Sequence, residues 1–261
     1  MHVFVVVAAV ALGAALGWPL ERVVSCLVAH RPLGRSGATS ATCGDDAHAA
    51  VRIAPARTIR RHEASRGLRG AHDVALRRVV LGASAAAACG AVAARLGAVP
   101  ALPAYLVFAL GLVAMSATDL ERRIIPRRLV HGTAAALGAL LGAASWADGR
   151  PGALLVALGC GAASFLVFFV VHLVSPRGLG FGDVRLGALV GAATGWISPE
   201  RTAVAFLLAF GLGAVVGVAV MVASGQGRKA TIPFGPFLAA GALGALVTGG
   251  ALGHVLVALH G

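Results

Sequence analysis

The chain has 261 residues, ample for a sizeable core, yet 58% are hydrophobic and 12% are charged. That is about half the charge of a water-soluble domain, and a mean hydropathy of +0.87 excludes one. A formal charge of +12 raises the question of nucleic acid, but no stacking aromatics accompany the arginines, so no nucleic-acid partner is expected.

Eight apolar stretches follow in chain order: 3–20, 79–97, 101–118, 129–147, 153–175, 184–198, 203–223 and 237–258. A helix needs about 20 predominantly apolar residues to cross a membrane. The segments 152–175 and 202–227 contain no Asp, Glu, Lys or Arg at all, whereas 184–198 is short for a full crossing. Gly, Ala, Val and Leu without turn clusters fit helices better than alternating barrel strands. The expected fold is therefore an all-α polytopic membrane protein of about eight transmembrane helices. The first stretch reads as a retained span. It has no basic residue before it, and the arginine-rich segment after it would resist export.

Sorting the 22 Lys and Arg residues by side gives nineteen on one side and only Arg95, Arg150 and Arg201 on the other. Cytoplasmic loops carry the Lys/Arg excess, which puts the N-terminus outside. The basic residues then act as topology determinants. Three regions result: a first span over 1–20, a cytoplasmic basic loop over 21–78, and a membrane domain over 79–258. The loop sets eleven arginines against Glu21, Asp45, Asp46, Glu63 and Asp73. With so little apolar content it is expected to be partly disordered and to lie near anionic lipid headgroups.

Cys26, Cys43, Cys89 and Cys160 form no CxxC pair, and the nine histidines show no ligand spacing. No zinc site, other metal or disulfide framework is expected. Glycines recur at four-residue spacing at Gly187, Gly191 and Gly195, at Gly138 and Gly142, and at Gly213 and Gly217. Such spacing lets helix backbones approach closely in lipid.

In so uncharged a chain, two acids beside apolar stretches invite a functional reading. Asp119 directly follows the third stretch, where the helix dipole disfavours a carboxylate. Alone it fits an interfacial acid paired with Arg122 or Arg123. Asp183 closes the run Gly178-Leu179-Gly180-Phe181-Gly182-Asp183. Alone it fits a helix N-cap, but the alternate glycines would let an extended peptide backbone come very close. The topology puts both acids at the cytoplasmic membrane edge, on different helices. Two carboxylates brought together cannot both ionise cheaply, so one serves as a base for water and the other as an acid for a leaving amine.

These residues sit in three recognisable motifs. The run from Asp119 through Leu120, Glu121, Arg122, Arg123, Ile124 and Ile125 to Pro126 resembles the first aspartate motif of type IV prepilin leader peptidases. Gly180-Phe181-Gly182-Asp183 resembles their GxGD motif, with Arg185 where Lys is usual. Pro233-Phe234-Gly235-Pro236 resembles the segment that opens their last helix. The resemblance covers about 79–258 and makes that region a membrane peptidase domain. It implies an aspartyl endopeptidase of the bacterial inner membrane, cleaving the basic leader of type IV prepilins or pseudopilins at the cytoplasmic face. It further implies Asp119 and Asp183 as the catalytic pair, without cofactor or metal. Gly178, Gly180, Gly182, Pro233, Gly235 and Pro236 would shape the substrate groove. The chain departs from bifunctional members by lacking two CxxC pairs in its loop, which argues against S-adenosylmethionine-dependent methylation. The alternative from another class is a transporter or channel using Asp119 and Asp183 as ion sites.

Overall fold

The computed structural model describes residues 2–29, 56–176, 178–224 and 233–248. Among them the secondary structure is helical, in eight helices: α1 His2–Ala29, α2 Ala56–Leu96, α3 Leu102–Arg122, α4 Arg127–Ala147, α5 Gly152–Val174, α6 Phe181–Gly195, α7 Pro199–Ser224 and α8 Gly235–Val247. Five are long and apolar enough to cross a membrane: Ala75–Leu96 within α2, α3, α4, α5, and Pro199–Ala223 within α7. The apolar part of α1, Val3–Leu16, and α8 are shorter. At 15 residues α6 is short as well, as its sequence suggests. Prolines open several helices, where a missing N–H costs nothing: Pro103 in the first turn of α3 and Pro236 in that of α8, with Pro199 leading α7.

Helix α1 runs on to Ala29 and α2 begins at Ala56, so helix enters the basic segment 21–78 from both ends. Residues 30–55 with Cys43, the basic residues Arg177, Arg228 and Lys229, and 249–258 of the eighth stretch lie outside the described residues.

The bundle is assembled from hairpin-like pairs, α1 with α2, α5 with α6 and α7 with α8, and α6 packs in turn on α4, α7 and α8. Helix α3 touches α1, α2, α4 and α8, and 56% of its apolar window is buried, against 22% for α5 and 17% for α7. Tyr105, Phe108, Leu112 and Met115 line its inward stripe and are fully buried. Their three- and four-residue spacing keeps them on one face. Leu155, Leu158, Leu166, Val215, Val218 and Val222 on α5 and α7 face outward, as suits helices solvated by lipid tails.

Close approach depends on the absence of a side chain at a few points. A Cβ at Gly191 would stand 2.7 Å from the Cys160 carbonyl oxygen, and one at Gly187 3.0 Å from the Phe168 ring. The α6 glycines thus seat that helix on α5, as their spacing predicts. The same spacing misleads elsewhere. No described atom lies within 4 Å of where a Cβ would sit on Gly138, Gly142 or Gly217. Those glycines face open space, because spacing reports only which face a residue is on.

Candidate active site

Asp119 lies in the last turn of α3 and is 5% exposed. Its Oδ2 accepts the backbone N–H of Gly235, at the start of α8, at 2.9 Å. No ion pair joins it to Arg122 or Arg123 among the described residues; in this region the ion pair is Arg77 with Glu121. The interfacial-pair reading of Asp119 therefore does not hold. Its carboxylate turns inward, toward α8. Beyond Arg122 the chain reverses through Arg123, which adopts a left-handed conformation (φ 53°, ψ 37°) and donates its N–H to the Asp119 carbonyl oxygen at 2.7 Å. Arg123 has a Cβ and so holds this conformation against its own preference. Ile125 is buried and Pro126 caps α4 in extended geometry.

Asp183 arrives from α6. It is the third residue of the helix, not its cap: Gly180 occupies the N-cap with φ −70° and ψ 149°. The Asp183 Oδ2 reaches back to accept the Gly180 N–H at 3.1 Å. An acid in the first turn is favoured by the exposed N–H groups there. Asp preference alone points to the cap position, and a glycine cap gives no such signal. The other oxygen, Oδ1, is buried and has no hydrogen-bond partner among the described residues.

The two carboxylates line one cavity of about 360 Å³, together with Arg123, Ile125, Pro126 and Phe181. Such a volume is within the range of ligand pockets. Asp183 is in α6, which is not among the five helices long and apolar enough to cross a membrane. Burial first, then the negative charge of Asp119, push its carboxyl up to about 6 against the opposing Gly180 hydrogen bond. The Asp183 carboxylate thus feels the charge of Asp119, as in sites that hold one proton between two acids. The Arg185 guanidinium also lines this cavity and lies 4.5 Å from the centre of the Phe181 ring.

The family model for the type IV leader peptidases matches residues 106–218, a stretch that contains both aspartates. That stretch resembles the type IV leader peptidase family. Proteins named prepilin leader peptidase/N-methyltransferase resemble the chain. The one from Burkholderia pseudomallei is 35% identical over 175 residues, 64% of this chain and 53% of that protein. The one from Stutzerimonas stutzeri is 32% identical over 151 residues, 56% of this chain and 50% of that protein. The one from Bacillus subtilis is 29% identical over 147 residues, 55% of each. The chain spans about half the length of these relatives. No solved structure matches it. Both acids lie within the matched stretch, and the match lends nothing to the transporter reading.

Within the matched region the glycines before Asp183 have packing duties of their own. Gly180 and Gly182 line the cavity. A Cβ on Gly182 would lie 3.1 Å from the Ile125 side chain, and one on Gly180 3.3 Å from Asp183 Oδ2. Gly178 stands apart, packed on Ser175, where a Cβ would meet the Oγ at 2.7 Å. Gly235 is behind the cavity, holding Asp119 through its N–H; a Cβ there would sit 2.6 Å from the carboxylate oxygen. Pro233 is half-buried outside the cavity lining, and Pro236 lines a neighbouring apolar groove between α2, α3 and α8. The structure therefore brings Asp119, Asp183, Gly180 and Gly182 into one cavity. Gly178, Pro233, Gly235 and Pro236 are not part of its wall. Arg123 and Phe181, which stand inside the two aspartate motifs, and Arg127, which stands in neither, line it as well, though the sequence marks none of them as a site residue. Among the described residues no group of three or more His, Cys, Asp or Glu is placed to hold a metal ion.

Proposed function

We propose that the chain is a membrane aspartyl endopeptidase that removes the leader of type IV prepilins or pseudopilins, with Asp119 and Asp183 as its catalytic pair. The observation that carries this reading is the burial of both carboxylates in one cavity, with the charge of Asp119 bearing on Asp183. The family of residues 106–218 and the names of the relatives support the substrate class.

In the mechanism, one carboxylate is ionised and one protonated. The ionised group takes a proton from water as the water oxygen attacks the scissile carbonyl. The protonated group stabilises the developing oxyanion and then gives its proton to the leaving amine. The C–N bond breaks, water supplies the new carboxyl oxygen, and the pair ends with its protonation exchanged. Asp183 Oδ1, without a hydrogen-bond partner among the described residues, suits the shared proton or the attacking water. Gly235 fixes the Asp119 carboxylate by its N–H, and Gly180 fixes that of Asp183. Gly180 and Gly182 leave the cavity wall without side chains on that side, so an extended peptide can pass close to the carboxylates. Pro236 lines the apolar groove beside it.

The setting is the bacterial inner membrane, with the cavity at the cytoplasmic face. Cleavage proceeds without methyl transfer, because a loop without two CxxC pairs has no zinc to order it. Mass spectrometry of a prepilin matured with this protein as the sole peptidase tests both statements. An intact leader removes the peptidase reading. A methyl group on the new amino terminus removes only the second statement.

A further inference from the structure

At the end of the bundle remote from the aspartates, the α2–α3, α4–α5 and α6–α7 turns frame a second cavity of about 220 Å³. Tyr105 and Asp119 stand near opposite ends of α3, about 20 Å apart by helical rise, so the two cavities are separate. Two aromatic rings form the floor. Tyr105 is fully buried, Trp196 is nearly so, and their rings meet edge to face at 6.3 Å. Arg95 comes from the last turn of α2, Arg150 from the α4–α5 turn, and Arg201 from the first turn of α7.

Each arginine has a local explanation. Arg95 complements the negative end of α2. The Arg150 guanidinium stands 5.4 Å over the Trp196 ring. Arg201 donates to the carbonyl oxygens of Ala245 and Leu246 at 3.1 and 3.4 Å. None of these explains why the three converge. The charges of Arg95 and Arg201 repel one another, and among the described residues Asp148 is the one carboxylate in the lining. Among the described residues no ion pair links Asp148 to any of them. These arginines are also the three basic residues that the sequence assigns to this side, where the topology rule disfavours each. Like charges gathered round a partly desolvated cavity are unfavourable unless an anion offsets them.

We propose that this cavity binds a phosphate-bearing anion, either a phospholipid headgroup or free phosphate. Guanidinium groups match phosphate oxygens with paired N–H donors. Trp146, near the end of α4, is 90% exposed, and exposed tryptophans mark the headgroup level of a bilayer. The α4–α5 turn, which brings Asp148 and Arg150 to the cavity, lies next to Trp146 at that level, where a phosphodiester is at hand.

Calorimetric titration of the purified chain in non-ionic detergent tests this, using dioctanoyl phosphatidylglycerol and, separately, inorganic phosphate. The double substitution Arg95→Gln with Arg150→Gln should weaken binding by about tenfold or more, since hydrogen bonds to charged groups are among the strong ones. Asp148→Asn removes the opposing charge and should tighten binding roughly two- to fivefold, the scale of an exposed charge pair. A purely structural role for the arginines predicts no such tightening. Tighter binding of the lipid assigns the site to a headgroup, and tighter binding of phosphate to the free ion. Equal affinities in the wild type and the double variant, or no gain in Asp148→Asn, would overturn the proposal.

Discussion

The backbone N–H of Gly235 donates to the Asp119 carboxylate at 2.9 Å, joining residues 116 positions apart. The contact ties the first turn of α8 to the last turn of α3, and it fixes which way Asp119 faces. A side chain on Gly235 would begin 2.6 Å from the carboxylate oxygen. Gly235→Ala should therefore push Asp119 out of position. A misplacement of about 1 Å costs roughly 100-fold in rate, and the loss should fall on kcat, with membrane insertion unchanged. Kinetics of leader cleavage by the variant would check this; wild-type kcat would show that the contact is incidental.

The pH dependence follows from the shared cavity. A carboxyl held up to about 6 keeps its proton where an ordinary carboxyl, near 4, has lost it. The pair needs one proton, so activity should decline as pH rises through that value. The slope should approach about tenfold in kcat/KM per pH unit. At low pH a second proton removes the base and activity falls again. The two limbs belong to the pair and not to either residue. A pH profile of prepilin cleavage in detergent, flat from about pH 5 to 8, would contradict a coupled pair.

Helix packing offers a test independent of chemistry. A Cβ on Gly191 would lie 2.2 Å from Ser164 Oγ, whereas Gly138 has open space. Gly191→Ala should destabilise the α5–α6 pair by about 1–3 kcal/mol, the usual penalty of overpacking. Gly138→Ala should be neutral or stabilise by roughly 0.5–1 kcal/mol, as for glycine within a helix. Thermal unfolding of both variants in the same detergent distinguishes the two positions; equal effects would mean the α6 glycines carry no packing role.

Much of this architecture is written locally. Long apolar runs specify helices, since a lipid solvent leaves the backbone no other way to satisfy its hydrogen bonds. Asp119 and Asp183 stand out because acids are scarce here. Proline positions mark helix starts. What depends on contact between distant segments is not legible in this way. Gly235 reads as part of a motif, yet its hold on Asp119 depends on α8 folding back across α3. Arg123 has no glycine or asparagine to announce its left-handed turn. Identical glycine spacing packs α6 against α5 and leaves Gly138 and Gly142 bare, because period gives the face and not the neighbour. The gathering of Arg95, Arg150 and Arg201 has the same origin: three turns far apart in sequence meet at one end of the bundle.

The most direct test is cleavage of a prepilin by the purified protein and by its Asp119→Asn, Asp183→Asn and doubly substituted forms, read by mass spectrometry. Asparagine keeps an oxygen to accept the N–H of Gly235 or Gly180, so each fold should stand. If the two carboxylates act as one unit, each single change should lower kcat by roughly 1000-fold or more, and the double change should add little further loss. Substantial activity in either single variant, or losses that simply multiply in the double, would contradict a shared catalytic pair.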